Sequence, residues 1–160
     1  MKAKWIAAVL AFSFLLPVSV GASHGDTIRD QVLSDVEFFD SSACKFLNVK
    51  FNFPTRVVAH YPFARGAELR IELDTLSISR DASVDVHRRE SLNPPKESED
   101  VLSGITYEGN AVPKPYLRLT FRHIVDFKVG QGKDFRSVVV AIRQAQGSGI
   151  CEPVYPDVQD

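Results

Sequence analysis

Arginine, histidine and tyrosine gather on the polar sides of a few alternating segments. Arg56, His60, Tyr61 and Arg65 fall within one ten-residue stretch. Arg70 stands between Leu69 and Ile71, and Arg118 stands between Leu117 and Leu119, with Arg122 and His123 close behind. A guanidinium fork matches a carboxylate bidentately, and an aromatic side chain offers an apolar face for stacking. Arg56, His60, Tyr61, Arg70, Arg118 and Arg122 are therefore the candidate ligand-binding residues, suited to a ligand with carboxylates and rings. The plainer reading of each arginine is a solvated strand face.

Catalysis has little support in the same residues. The four histidines, His24, His60, His87 and His123, show no His-x-x-x-His or related ligand spacing, so no metal site is expected. No Gly-x-Ser-x-Gly elbow is present, and no glycine-rich phosphate loop precedes a helix. Asp81, Asp85 and His87 lie close together but read as a polar loop. The expectation is a non-enzymatic protein with no cofactor.

The amino terminus sets the compartment. Lys2 and Lys4 precede an uncharged run from Ile6 to Leu16, and Pro17 ends it. The run is too short to cross a bilayer and has the length of a secretory h-region. Val20-Gly21-Ala22 supplies small or modest residues for a cut after Ala22. Residues 1–22 thus read as a cleaved signal peptide, against the alternative of a retained anchor, and no stable membrane span is expected after cleavage. The protein is expected to be periplasmic or secreted. Lys2 and Lys4 leave with the signal, so 17 basic groups face 20 acidic ones, a net charge near −3. That balance argues against nucleic acid as a partner. In an oxidising compartment the two cysteines, Cys44 and Cys151, are expected to pair rather than remain as buried thiols.

These residues need strands to hold them. Residues 23–43 read as a polar leader, with Ile28, Val32 and Val36 marking at most a short helix. From Cys44 the period becomes two. Leu47-Asn48-Val49-Lys50-Phe51 alternates, Arg56–Tyr61 is a second strand, and Glu68–Asp74 alternates again. Ser77–His87 reads as soft structure, and residues 88–100, with Asn93-Pro94-Pro95, read as a charged, solvated loop. Ile105–Tyr107 is a short strand. Tyr116–Phe121, Ile124–Val129 and Arg136–Ile142 are three more, and residues 144–160 form a tail.

The two halves match. Leu47, Val49 and Phe51 align with Leu117, Leu119 and Phe121 at an offset of 70. Leu69, Ile71 and Leu73 align with Val138, Val140 and Ile142 at an offset of 69. An internal duplication, rather than chance alternation, predicts an all-β sandwich of two related three-stranded antiparallel sheets over residues 44–143.

Three segments carry a resemblance to a known family. They are Phe46-Leu47-Asn48-Val49-Lys50-Phe51 running into Asn52-Phe53-Pro54-Thr55-Arg56-Val57; His60-Tyr61-Pro62 with Glu68-Leu69-Arg70-Ile71-Glu72-Leu73; and Leu117–Ile142 with Asp134-Phe135-Arg136-Ser137-Val138. Over residues 44–143 the chain resembles the AMIN domains of bacterial envelope proteins, most of all those at the start of exported tetratricopeptide-repeat proteins. The resemblance implies a sandwich of two related three-stranded sheets. It also implies a non-enzymatic targeting module whose partner is peptidoglycan or an envelope complex. An assembly factor that captures partner proteins on exposed strand edges is the alternative.

Overall fold

Alternating residues become strands almost throughout. The computed structural model describes residues 31–41, 43–76, 84–144 and 151–153. Within them lie β1 (Leu33–Asp40), β2 (Cys44–Phe51), β3 (Thr55–Tyr61), β4 (Arg65–Thr75), β5 (Arg89–Leu92), β6 (Leu102–Glu108), β7 (Tyr116–Gln131) and β8 (Ser137–Arg143). A single 3-10 turn, Lys96–Ser98, accompanies them among the described residues. Every strand pairing is antiparallel, so the all-β expectation holds. The signal segment, Ile28, Asp81 and most of the tail lie outside the described residues.

The strand order is β1-β2-β8-β7-β4-β3, with β6 on β7 and β5 on β6. Two separate three-stranded sheets were expected; β7 instead joins the ladders by serving both. Residues 116–126 of it pair with β4, residues 116–121 also with β6, and residues 127–131 with β8. The sequence reading split this strand at Arg122-His123. No glycine or proline interrupts Tyr116–Val129, so the backbone stays extended through that point.

The matched segments interlock. The first strand of each half pairs with the last strand of the other: β2 with β8, and β7 with β4. Leu47 faces Val140 and Val49 faces Val138, while Leu117 faces Ile71 and Leu119 faces Leu69. The sequence offsets of 70 and 69 carry one ladder onto the other in register. A one-residue slip would turn the apolar set outward, so the core enforces this register.

Inward residues of both ladders form one cluster: Leu47, Val49 and Phe51; Leu69, Ile71 and Leu73; Leu117, Leu119 and Phe121; Val138, Val140 and Ile142. Each such side chain contributes about 1.5–3 kcal/mol on burial. Tyr107 is fully buried among them and meets Phe51 and Phe53 edge to face at 6.1 and 6.2 Å. Its hydroxyl donates to the Val86 carbonyl at 2.8 Å, so no buried donor is left unmade. Burial, and secondarily the charge of Asp85, pushes the phenol up to about 12.

Two segments read as polar are structured. Residues 33–40 of the supposed leader form β1, not a helix. Val36 and Phe38 pack toward the core at period two, but a bulge between Leu33 and Asp35 and the extra apolar Phe39 obscure that period. Within residues 88–100, β5 pairs with β6, and Leu92 packs against the core. The Glu90 carboxylate then accepts the Val32 and Leu33 N–H groups, both at 2.9 Å. The charge that suggested a solvated loop is thus partly spent tying β5 to β1.

The disulfide expectation is met in geometry. Cys44 and Cys151 are paired, with Cα atoms 5.7 Å apart, inside the usual disulfide range. The pair draws residues 151–153 over the outer side of β8, where Ala141 and Phe46 join it in a small second cluster. Pro153 lies so close to Gly130 that a Cβ there would come within 2.9 Å of it. This cover explains why Val138–Ile142 is buried on both faces, as a continuous apolar run requires.

Candidate functional site

Strand register builds one polar face. Tyr61 pairs with Arg70, Arg70 with Arg118, Arg118 with Thr106, and Thr106 with Ser91, a single row across five strands. The next row runs Ala59, Glu72, Tyr116, Glu108 and Arg89. Period-two geometry sends these side chains away from the core that holds Leu69, Ile71, Leu117 and Leu119. Where the face meets the approach to β7, a groove of about 340 Å³ is lined by His60, Tyr61, Arg70, Lys114 and Tyr116, with Val112 on its rim.

Of the groove's two cations, Lys114 and Arg70, the more exposed is Arg70. Its side chain is 54% exposed, and its Nε donates to Glu68 Oε1 at 2.7 Å. The guanidinium carbon lies 5.7 Å from the centre of the Tyr116 ring. The Glu68 hydrogen bond and charge, then Tyr116, hold the guanidinium above its ordinary pKa, so it is charged at any working pH. A guanidinium carries five N–H donors, so the Nη side of the fork remains chemically suited to a second carboxylate.

The other expected residues divide. His60 and Tyr61 join Arg70 in the groove, and Tyr61 is 77% exposed. His60 stacks on Phe63 with ring centroids 5.8 Å apart, and its Nδ1 lies 3.2 Å from the Pro62 carbonyl, which makes Nδ1 the donor. Arg118 neighbours Arg70 but is largely committed: its Nη2 donates to Glu108 at 2.5 Å, and Glu108 also holds Arg89 at 3.1 Å. Arg56 stands behind the groove, paired with Asp74 at 2.9 Å. Arg122 lies at the far end of the face, where its Nε donates to the Glu99 carbonyl. The structure therefore brings three of the six together, sets Arg118 beside them, and leaves Arg56 and Arg122 outside the groove.

Lys114 and Tyr116 are the contributors that sequence reasoning missed. Alternation does place Tyr116 on the same side as Arg118, so the signal existed. Lys114 sits in the turn before β7 and reaches Asp74 at 2.6 Å. Hydrogen bonds from Lys114, then Arg56, hold the Asp74 carboxyl below the usual carboxylate range. Asp74 is thus a fixed carboxylate between two cations, of which Lys114 lines the groove.

The arrangement suits recognition: a fork for carboxylate and two tyrosine rings, beside a Lys114 amine held by Asp74 and a Glu72 carboxylate that also lines the groove. Among the described residues no group of three His, Cys, Asp or Glu side chains is placed to hold a metal ion. Asp85 Oδ1 instead accepts the His87 N–H at 3.0 Å within its own turn. No described helix is long and apolar enough to cross a membrane. Compared with known proteins, the chain matches no protein-family model, no curated protein and no solved structure.

Proposed function

We propose that the protein is an exported, non-catalytic binding module for peptidoglycan or a complex of the cell envelope. One observation carries the reading: Arg70 stands exposed in an open groove beside Tyr61 and Tyr116. Peptidoglycan offers both partners that such a groove selects, peptide carboxylates for the guanidinium and sugar rings for the tyrosines. The lysine-led apolar segment before Ala22 and the paired cysteines support a periplasmic or secreted setting. Co-sedimentation with purified sacculi tests the proposal, with Arg70→Ala in parallel. Wild-type protein in the pellet and the variant in the supernatant would support it; wild type left in the supernatant would remove peptidoglycan as the ligand.

The second reading, capture of a partner strand on a sheet edge, gains from β1 and β3 ending the strand order. Val58 on β3 is exposed. However, Pro54 and Pro62 flank β3, and a bulge falls between Val57 and Ala59. These features shorten the free edge and disfavour pairing. Retention of an envelope protein by a mature bait that ignores sacculi would favour this reading.

A further inference from the structure

A second cleft, of about 400 Å³, opens beside β8 and shares only His60 with the groove. Ala141 and Arg143, two residues apart on one face of β8, line it together with the tail residues Cys151 and Pro153. Phe63 lines it as well. That ring stacks on His60 with planes 16° apart, yet Phe63 is 84% exposed, so its second face is open. The size lies within the range of small-ligand sites.

Charge selects among ligands. Asp126 on the lining is matched by Arg65 at 3.2 Å, and Lys128 pairs with Glu152. Arg143 makes no ion pair with any described residue, which leaves one uncompensated guanidinium beside an apolar, aromatic wall. We propose that this cleft binds a small aromatic carboxylate, its ring against Phe63 and Pro153 and its carboxylate on Arg143. The site depends on the disulfide, because Cys151 and Pro153 form part of its wall. It requires neither Arg70 nor Tyr116 and so stands apart from the envelope-ligand reading.

The test is an NMR titration of the oxidised, isotope-labelled protein with 1-naphthylacetate, and separately with its neutral amide. The acid should give saturable shifts centred on the Val129, Ala141 and Arg143 amides, with the amide about tenfold weaker. Arg143→Gln should reduce binding of the acid to the level of the amide, and Phe63→Ala should weaken both. Both side chains are exposed, so the variants should keep the wild-type spectrum elsewhere. Lys96→Ala, at an exposed position of the 3-10 turn, should bind as wild type does. Absence of saturable shifts at these amides, equal binding of acid and amide, or an Arg143→Gln variant with unchanged preference would overturn the proposal.

Discussion

Glu90 offers the sharpest test of how the fold is fastened. Its side chain is only 9% exposed, and it accepts two backbone N–H groups from residues that are themselves fully buried, Val32 and Leu33. Arg88 lies 3.6 Å away. Glu90→Ala would leave both donors without a partner. Each unmade buried hydrogen bond costs about 1–3 kcal/mol, and partial access of water to this edge lowers the sum to about 2–4 kcal/mol. Glu90→Gln keeps one acceptor but turns an amide N–H₂ toward the other donor, so about half that loss is expected. Urea unfolding followed by circular dichroism measures both changes, and hydrogen exchange at the Val32 and Leu33 amides locates them. Arg89→Ala, which removes an exposed guanidinium and leaves Glu108 paired with Arg118, should cost no more than about 1 kcal/mol. A Glu90→Ala variant within about 0.5 kcal/mol of wild type, with both amides still protected, would refute the reasoning.

Reducing the Cys44–Cys151 bond opens a loop of 107 residues, and the chain-entropy model gives a loss of about 4–5 kcal/mol, read as a lower urea midpoint under reductant. Mass spectrometry showing two free thiols in the purified oxidised protein would contradict this pairing. Lys114→Ala removes the larger of the two hydrogen bonds that hold down Asp74, so the carboxyl should titrate closer to 3.8 by carbon-detected NMR. Because its folded pKa is depressed, any stability from this group is present above the unfolded pKa and fades as pH falls through the folded one. Tyr107 shows the opposite sign: its pKa is raised to about 12, so its contribution is intact below about pH 10 and is lost as pH rises through the folded value. Absorbance at alkaline pH should show a phenol ionising near 12 that is lost in Tyr107→Phe, and that variant should cost about 0.5–1.5 kcal/mol.

Strand identity was legible where one face is wet and the other dry. Glu68–Asp74 alternates cleanly because β4 buries one side in the main core and shows the other to solvent, whereas Leu47–Phe51 alternates in polarity although Asn48 on its polar side is buried as well. The same alternation exposed the offsets of 70 and 69, and the ladder registers follow them. Sequence reasoning failed where that contrast is lost. In β1 a bulge and Phe39 break the period, and in β5 the stabilising contact is a carboxylate on distant backbone, which no local pattern encodes. Val138–Ile142 reads as an alternating strand, yet it is an unbroken apolar run buried on both faces, and its outer cover comes through the disulfide from residues far along the chain. The site followed the same rule. Tyr61 and Arg70 were placed by alternation and cross-strand register. Arg56 shares β3 with Tyr61, and Arg122 shares β7 with Tyr116, yet Asp74 and the Glu99 carbonyl hold them elsewhere. Their partners lie 18 and 23 residues away along the chain, beyond the reach of a periodicity argument.

The groove itself is the claim that matters most, and backbone NMR with soluble peptidoglycan fragments tests it directly. The account predicts saturable shifts clustered on Tyr61, Arg70 and Tyr116, with Arg70→Ala weakening binding about tenfold while leaving the rest of the spectrum unchanged. Shifts that never saturate, or that cluster away from these three residues, would contradict it.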